Sequence, residues 1–278
     1  MTNMIKRKTP GYWVLNVVSI FLAILFIGPV IWALAVSFQI EGKQIVSVFD
    51  WFTPPYTLQN YPEIILNSSV PTWLKNSLII AVVTTGLTVI FSALAAYALA
   101  KLPFKGSNVV FMYFMLGLMV PGEATIVPLF ITVNGMHLID SYAGMILPSI
   151  AGSMTLIIMV SFFKGLPSEL LEAARIDGAN EIKTFFVIAL PLSKTIISTV
   201  CIFSFIGSWN NYLWPLLCAM SEELFTLPIG IPTFAGTYTV DYVRPLTASM
   251  VASLPMIIIY IIFEKQIVAG ITAGAVKG

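Results

Sequence analysis

Glu172-Ala173-Ala174-Arg175-Ile176-Asp177-Gly178-Ala179-Asn180 is a charged, glycine-hinged stretch within a chain that is otherwise mostly apolar. Pro167, just before it, suits the first turn of a helix, where its missing N–H is no loss, and Glu169 complements the positive end of the helix dipole. The pattern predicts a helix over residues 167 to 176, with Leu170, Ala173 and Ala174 on one face and Glu169, Glu172 and Ile176 on another. The small alanines let a neighbouring surface approach closely. Gly178, following Asp177, fits a helix stop that needs a left-handed residue. Asn180 then caps a second helix, in which Ile182, Phe185, Phe186, Ala189 and Leu190 follow an i, i+3, i+4, i+7, i+8 pattern up to Pro191. Two helices meeting at a glycine make a compact protrusion.

Outward from this protrusion the solvent is lipid. The 278 residues are 58% hydrophobic and 10% charged, against about 45 to 50% apolar and about 25% charged in a soluble domain. Apolar runs bounded by polar breaks give six candidate spans at about 12–38, 74–100, 108–133, 142–163, 195–219 and 245–263, each near the ~20 residues that a bilayer requires. Backbone groups in lipid must pair internally, so these are expected to be helices. Lys6, Arg7, Lys8, Lys101, Lys105, Lys164, Arg175, Lys183, Lys194, Lys265 and Lys277 map to one side, and Lys43, Lys75 and Arg244 to the other. The positive-inside rule therefore puts both termini and the Glu172 loop in the cytoplasm.

The first span carries an ambiguity. Lys6, Arg7 and Lys8 precede an apolar run ending in Ala33-Leu34-Ala35, a pattern like a signal-peptidase site, but the run exceeds the usual h-region of about 7 to 15 residues and favours a retained helix. The external loop from Gln39 to Trp73 mixes Trp51, Tyr56 and Tyr61 with Pro54, Pro55 and Pro62, and reads either as a cap for an external partner or as an interfacial loop with aromatic anchors. With no internal repeat or soluble domain evident, residues 1–278 read as one membrane domain.

Other function classes are narrowed by what the composition lacks. A formal charge of +1 gives no basic field for nucleic acid. Cys201 and Cys218 lie in one apolar run and imply neither a disulfide framework nor a metal site, and the single histidine, His137, lacks ligand partners.

At the level of the full loop a family resemblance emerges. The run Phe162 to Lys194, FFKGLPSELLEAARIDGANEIKTFFVIALPLSK, resembles the signature loop of binding-protein-dependent ABC importer permeases, through Glu172, Ala173, Ala174, Gly178, Leu190 and Pro191, with Asp177 and Ala179 flanking the glycine as in the sugar-importer branch. Asn76-Ser77, the stretch Trp209-Asn210-Asn211-Tyr212-Leu213-Trp214-Pro215-Leu216 and the tail Gly270 to Gly278 extend the likeness to the second permease of maltose-type carbohydrate importers. The resemblance implies an all-α membrane protein of six transmembrane helices with a cytoplasmic coupling helix, the type I ABC importer permease fold, in the inner membrane of a prokaryote. It implies as partners a homologous second permease, a dimer of ABC ATPase subunits, an extracytoplasmic solute-binding protein and a sugar substrate. In such permeases the loop sits in a cleft of the ATPase, so Glu172 would pair with a basic group there and Gly178 would expose it. Thr272, Gly274 and Lys277 would belong to a tail that reaches the ATPase. No G-x-x-x-x-G-K-[ST] run occurs in the chain, so ATP and Mg are expected on the partner subunit, leaving this chain no cofactor and no catalysis of its own.

Polar residues inside spans point to a solute pathway. Glu123 is the one carboxylate within a span, and a charge at the bilayer centre costs about 2.5 to 3.5 kcal/mol on insertion scales. It follows Pro121-Gly122 and precedes Pro128, so the third helix is predicted to break there. Glu123 then either lines a cavity or satisfies the broken helix or a neighbouring subunit. Trp209, Asn210, Asn211 and Tyr212 supply the amides and rings that hold a sugar, although the same residues fit an aromatic belt with asparagines bonding adjacent helices. A rise of ~1.5 Å per residue puts Asn210 and Glu123 at similar depths. Ser92, Ala96 and Ala100 form a small-residue stripe suited to a helix seam, while the glycines of the tail argue against a stable helix beyond about Ala269. Rival classes are an ABC permease for a non-sugar solute, an ion-coupled carrier using Glu123, and a non-transporting scaffold.

Overall fold

The computed structural model describes residues 10–43, 47–102, 104–235 and 242–275. The chain is helical: α1 (Pro10–Ser37), α2 (Asn60–Leu66), α3 (Val70–Lys101), α4 (Ser107–Gly117), α5 (Ile126–Gly135), α6 (Tyr142–Ile146), α7 (Ser153–Lys164), α8 (Ser168–Ile176), α9 (Glu181–Thr184), α10 (Leu190–Leu192), α11 (Lys194–Trp209), α12 (Leu213–Cys218), α13 (Leu227–Gly230) and α14 (Val243–Ala275). Among the described residues, the extended pairing is a single bridge between Gln39 and Tyr56.

Among the described residues, three helices are long and apolar enough to cross a membrane: Gly11–Ser37, Val70–Lys101 and Val243–Glu264. Three bent pairs pass the same test, and counting each as one span gives up to six. The pairs are Ser107–Gly117 with Gly122–Gly135, bent by 97°, Tyr142–Ser149 with Ser153–Lys164, bent by 44°, and Glu181–Leu192 with Lys194–Trp209, bent by 79°. The predicted break at Pro121-Gly122 is present. It also undoes the count of depth along a straight third helix, since the segment turns nearly a right angle before Glu123.

Two expectations need correction. The span predicted over 195–219 is not continuous: α11 ends at Trp209, and a separate α12 begins at Leu213. Hydropathy runs straight through because Leu213, Trp214, Leu216 and Leu217 are apolar, and hydropathy carries no information on helix direction. The tail was expected to leave the helix near Ala269, yet α14 continues to Ala275, with a non-helical residue at Phe263. Each glycine disfavours a helix by only about 1 kcal/mol, and alanines between them sustain propagation from a helix already nucleated.

Contact density divides the chain into two compact units, residues 1–68 with 231–253 and residues 69–230 with 254–278. In the first, the external loop folds upon itself. Gln39 Nε2 donates to the Trp51 and Thr53 carbonyls at 2.9 and 3.2 Å, Trp51 packs edge-on against Trp32 and Tyr242, and Arg244 bridges Glu41 and Glu63.

In the second unit α3 is the spine, packed against α7 and α11. Its buried positions come in pairs four residues apart, Asn76-Ser77, Ile80-Ala81, Thr84-Thr85, Thr88-Val89, Ser92-Ala93 and Ala96-Tyr97. At 3.6 residues per turn such a stripe drifts by about 40° per step, so different neighbours bury the two ends. Ile80 lies among Val133, Met145, Ile146, Trp214 and Cys218, and Val89 to Tyr97 lie among Leu156, Met159, Val160, Phe163 and Phe185. Lipid tails are as apolar as leucine, so close packing of small side chains holds helices together in a membrane. The stripe through Ser92 and Ala96 is accordingly a seam within the chain.

Candidate functional site

The Glu172 loop is built as two short helices around one glycine. α8 starts after Pro167, which has an extended ψ of 126°, and ends at Ile176. Gly178 takes φ +80°; its N–H reaches the Arg175 carbonyl at 3.0 Å, and the Ala179 N–H reaches the Ala174 carbonyl at 2.9 Å. These two bonds make a Schellman motif, which satisfies carbonyls that a helix end otherwise leaves open. Asn180 then caps α9, its side chain accepting from the Lys183 N–H at 2.8 Å.

The faces of these helices differ from the sequence pattern. Leu171 and Ala174 point inward, at 2% and 7% exposure, whereas Leu170 and Ala173 are exposed alongside Glu172 and Ile176. In the second helix the segment Phe185–Ala189 is a π-helix, and the buried positions are Thr184, Phe185 and Ala189, with Ile182 and Phe186 exposed. A π-turn inserts one extra residue per turn and rotates the residues after it. The i, i+3, i+4 count assumed α-geometry throughout. Phe185 sits inward against Tyr97 and Phe163, at ring distances of 5.2 and 6.4 Å. The exposed surface of the protrusion therefore combines Leu170, Ile176, Ile182 and Phe186 with Glu169, Glu172 and Asp177. Pro191 lies apart from this turn and lines an open cleft with Leu190, Lys194, Ile197 and Ser198.

At the base of the loop is a network that no motif announced. Arg175 Nε donates to Glu181 Oε1 at 2.8 Å and Nη2 to Oε2 at 3.3 Å, while the Tyr97 hydroxyl lies 3.2 Å from Glu181 Oε2. The hydrogen bond to Glu181 raises the Arg175 guanidinium pKa further above its ordinary value, and the bond from Arg175 lowers that of the Glu181 carboxyl. The pair is two-fifths exposed, so its net contribution is small, about 0 to 1 kcal/mol. The one signal in the sequence was placement, a cation in the last turn of α8 and an anion in the first turn of α9, each favourable to its helix dipole.

The pathway candidates lie at helix breaks. Glu123 is exposed within a 3₁₀ turn, Gly122–Thr125, between the bent halves of its pair. Trp209 is buried and stacks on Phe205 at 5.7 Å. Asn210 closes α11, its side-chain amide donating to the Ile206 carbonyl at 3.0 Å, and it is exposed, as is Tyr212. Asn211 is half-buried. Chain continuity thus keeps residues 209–212 together, but among the described residues no hydrogen bond or ring contact is seen joining them to Glu123. Thr272 and Gly274 fall within the backbone of α14, and Lys277 lies outside the described residues.

Three polar residues turn out to be structural. Asn76 is buried, donates to the Glu223 and Phe225 carbonyls at 2.7 and 2.8 Å, and accepts from the Tyr142 hydroxyl. Ser77 accepts from the Leu227 N–H at 2.8 Å. Together they fasten the segment before α13 to α3, where Trp73 lies so close to Gly230 that a β-carbon there would sit 2.3 Å from its ring. Asp140 Oδ1 accepts from the Met220 and Ser221 N–H groups at 2.8 and 2.9 Å and from the Ser221 hydroxyl at 2.9 Å.

Comparison with known proteins matches the sequence of this chain to a family. Residues 88–272 fit the sequence profile of the binding-protein-dependent transport system inner membrane component. The chain is 36% identical over 280 residues to the arabinooligosaccharides transport system permease protein AraQ of Halalkalibacterium halodurans, covering 98% of this chain and 100% of that one. It is 42% identical over 206 residues to AraQ of Bacillus subtilis, covering 74% and 73%. The trehalose/maltose transport system permease protein MalG of Thermococcus litoralis is 35% identical over 266 residues, covering 94% and 95%. Among solved structures, a chain of a bacterial ABC transporter involved in the import of the acidic polysaccharide alginate superimposes with a TM-score of 0.81 at 21% identity, over 95% of this chain and 99% of that one, a likeness of fold.

Proposed function

This chain belongs to the family of binding-protein-dependent transport system inner membrane components, and from that premise we propose that it is the permease subunit of an ATP-driven importer of an oligosaccharide or related carbohydrate. As a member of the family it is a membrane component of a transport complex and not an enzyme. The names of the relatives support the cargo: arabinooligosaccharides for two of them and trehalose or maltose for a third.

In this proposal residues 1–278 act as one permease with both termini cytoplasmic. A homologous permease completes the translocation path, an extracytoplasmic binding protein delivers the sugar, and two ATPase subunits hold the ATP and Mg. Closure of the ATPase pair pushes on the loop, and the helices switch between discrete inward-facing and outward-facing packings. Glu172 pairs with a basic group of the ATPase; Ala173 and Asp177 let that surface approach, Ala174 seats the helix from its inner face, Gly178 sets the turn, and Pro191 lies in the last turn of the second helix. Thr272, Gly274 and Lys277 add a tail contact. Glu123, Asn210, Asn211 and Tyr212 offer carboxylate, amide and aromatic groups to the passing sugar, with Trp209 bracing the break.

The observation that carries the proposal is the rigid, doubly capped protrusion that presents Glu172 to solvent. Its test is reconstitution of the complex that copurifies with this chain. Glu172→Ala is expected to lower solute moved per ATP hydrolysed by about tenfold or more, the loss of one charge-assisted bond, at an unchanged amount of assembled complex. Unaltered coupling would remove the lever assignment, and a copurified binding protein that retains amino acids or peptides instead of sugars would remove the cargo.

A further inference from the structure

The covalent neighbours of the loop are α7 before it and α11 after it, yet side chains of a third helix reach it. Lys101 Nζ donates to the Leu166 carbonyl at 2.6 Å, across 65 residues of sequence. Tyr97, one turn earlier on α3, meets Glu181 at 3.2 Å, across 84 residues. Positions i and i+4 share a helix face, so one turn of α3 holds the chain just before α8 and again at the start of α9. These two points bracket the whole protrusion.

We infer that Tyr97 and Lys101 are positioning residues that clamp the base of the loop to α3, so that displacement of the loop enters α3 directly and not only through α7 and α11. This inference rests on the proposal that the loop is the lever.

Three observations support it. The Glu181 carboxylate receives Arg175 from the last turn of α8 as well as Tyr97 from α3, which joins both loop helices and the spine at one group. The Tyr97 ring is itself wedged between Phe163 of α7 and Phe185 of the π-turn, at 5.9 and 5.2 Å, so it cannot swing away when pulled. Finally, α3 is the helix against which α7 and α11 pack, and it contributes residues to two apolar clusters of its unit. A protrusion tethered only at its two chain ends is free to rock about the line joining them. Added tethers on a separate helix remove that rotation, and a push on Gly178 becomes a translation of α3.

The test compares solute moved per ATP hydrolysed in the reconstituted complex. Tyr97→Phe keeps the ring and removes the hydroxyl, and Lys101→Met keeps an apolar stem and removes the donor. Each single variant is expected to lower the ratio by about twofold to fivefold, and the double variant by about fourfold to twenty-five-fold, as for independent hydrogen bonds acting on one coupling step. Lys101→Arg, which retains a charged donor, is expected to keep the ratio within about twofold of the parent. A double variant that couples normally overturns the inference, as does a loss that tracks a reduced amount of assembled complex, since that would mark a purely structural role. Glu172→Ala, measured in parallel, separates the two failures: if it uncouples while the double variant does not, the lever stands and only the route through α3 falls. If neither uncouples, the lever itself falls.

Discussion

The Glu172 loop and the break at Trp209-Asn210-Asn211-Tyr212 both interrupt apolar helices with polar residues, but they treat their polar groups in opposite ways. In the loop, Gly178, Ala179, Asn180, Arg175 and Glu181 all bond to other parts of the same loop, and the base is tied to α3. At the break, the Asn210 amide reaches back to its own helix, and Tyr212 and Glu123 are exposed on the isolated chain. A part that transmits force must be stiff within one chain, whereas a part that handles solute is left for other surfaces to complete. The stiffness that the proposed coupling role needs is therefore visible within this one chain, whereas Glu123, Asn210 and Tyr212, proposed for the pathway, stay exposed in it.

The sharpest way to break this contrast is Gly178→Pro. Proline fixes φ near −65° and removes the N–H, against an observed φ of +80° and a bond to Arg175. Uptake in proteoliposomes is expected to fall to background while ATPase activity persists; retained uptake would mean that the turn is not a rigid element. A smaller effect tests the other region. If the break serves the solute, Asn210→Ala and Glu123→Gln should raise the half-saturating concentration of binding-protein-delivered solute by about threefold to tenfold, the worth of one hydrogen bond, with transport per ATP unchanged. A changed coupling ratio with normal saturation would reassign both residues to the moving parts.

The smallest expected effect lies at Asp140, outside both regions. The Ser221 N–H above all, with the Met220 N–H and the Ser221 hydroxyl, holds its carboxyl below the ordinary carboxylate range. A group depressed in the folded state contributes stability above its unfolded pKa, about 4, and loses that contribution as the pH falls through the lower folded value. Thermal unfolding in detergent should show the wild-type Tm falling from pH 7 to pH 3 by a few degrees more than that of Asp140→Asn. Equal falls would show that the Asp140 contacts contribute nothing.

Legibility in the sequence tracked how local the physics was. The helix, glycine stop and Asn180 cap were legible because each depends on residues within one turn of it. The break before Glu123 was legible because Pro121 and Gly122 act on their own backbone. The π-turn at Phe185–Ala189 was not, since it answers to Phe163 and Tyr97 on other helices. The inward turn of Leu171 in place of Leu170 is a matter of angular phase, which a nine-residue helix flanked by apolar residues on two sides leaves undetermined. The end of α11 at Trp209 escaped because hydropathy averages over direction. Lys101 read as one of the cytoplasmic-side cations and Glu181 drew no reading at all until the fold brought them to Leu166 and Tyr97.

Asn76 carries a consequence for any search for sugar ligands in this chain. An amide has two hydrogens to give, and both of those on Asn76 are engaged by the Glu223 and Phe225 carbonyls, while its oxygen already receives the Tyr142 hydroxyl. A hydrophilic side chain in a hydrophobic span is thus no guide to cargo by itself. What identifies a ligand is residual bonding capacity, and by that measure the amide most deeply enclosed in the spine is a rivet that a passing solute would find closed.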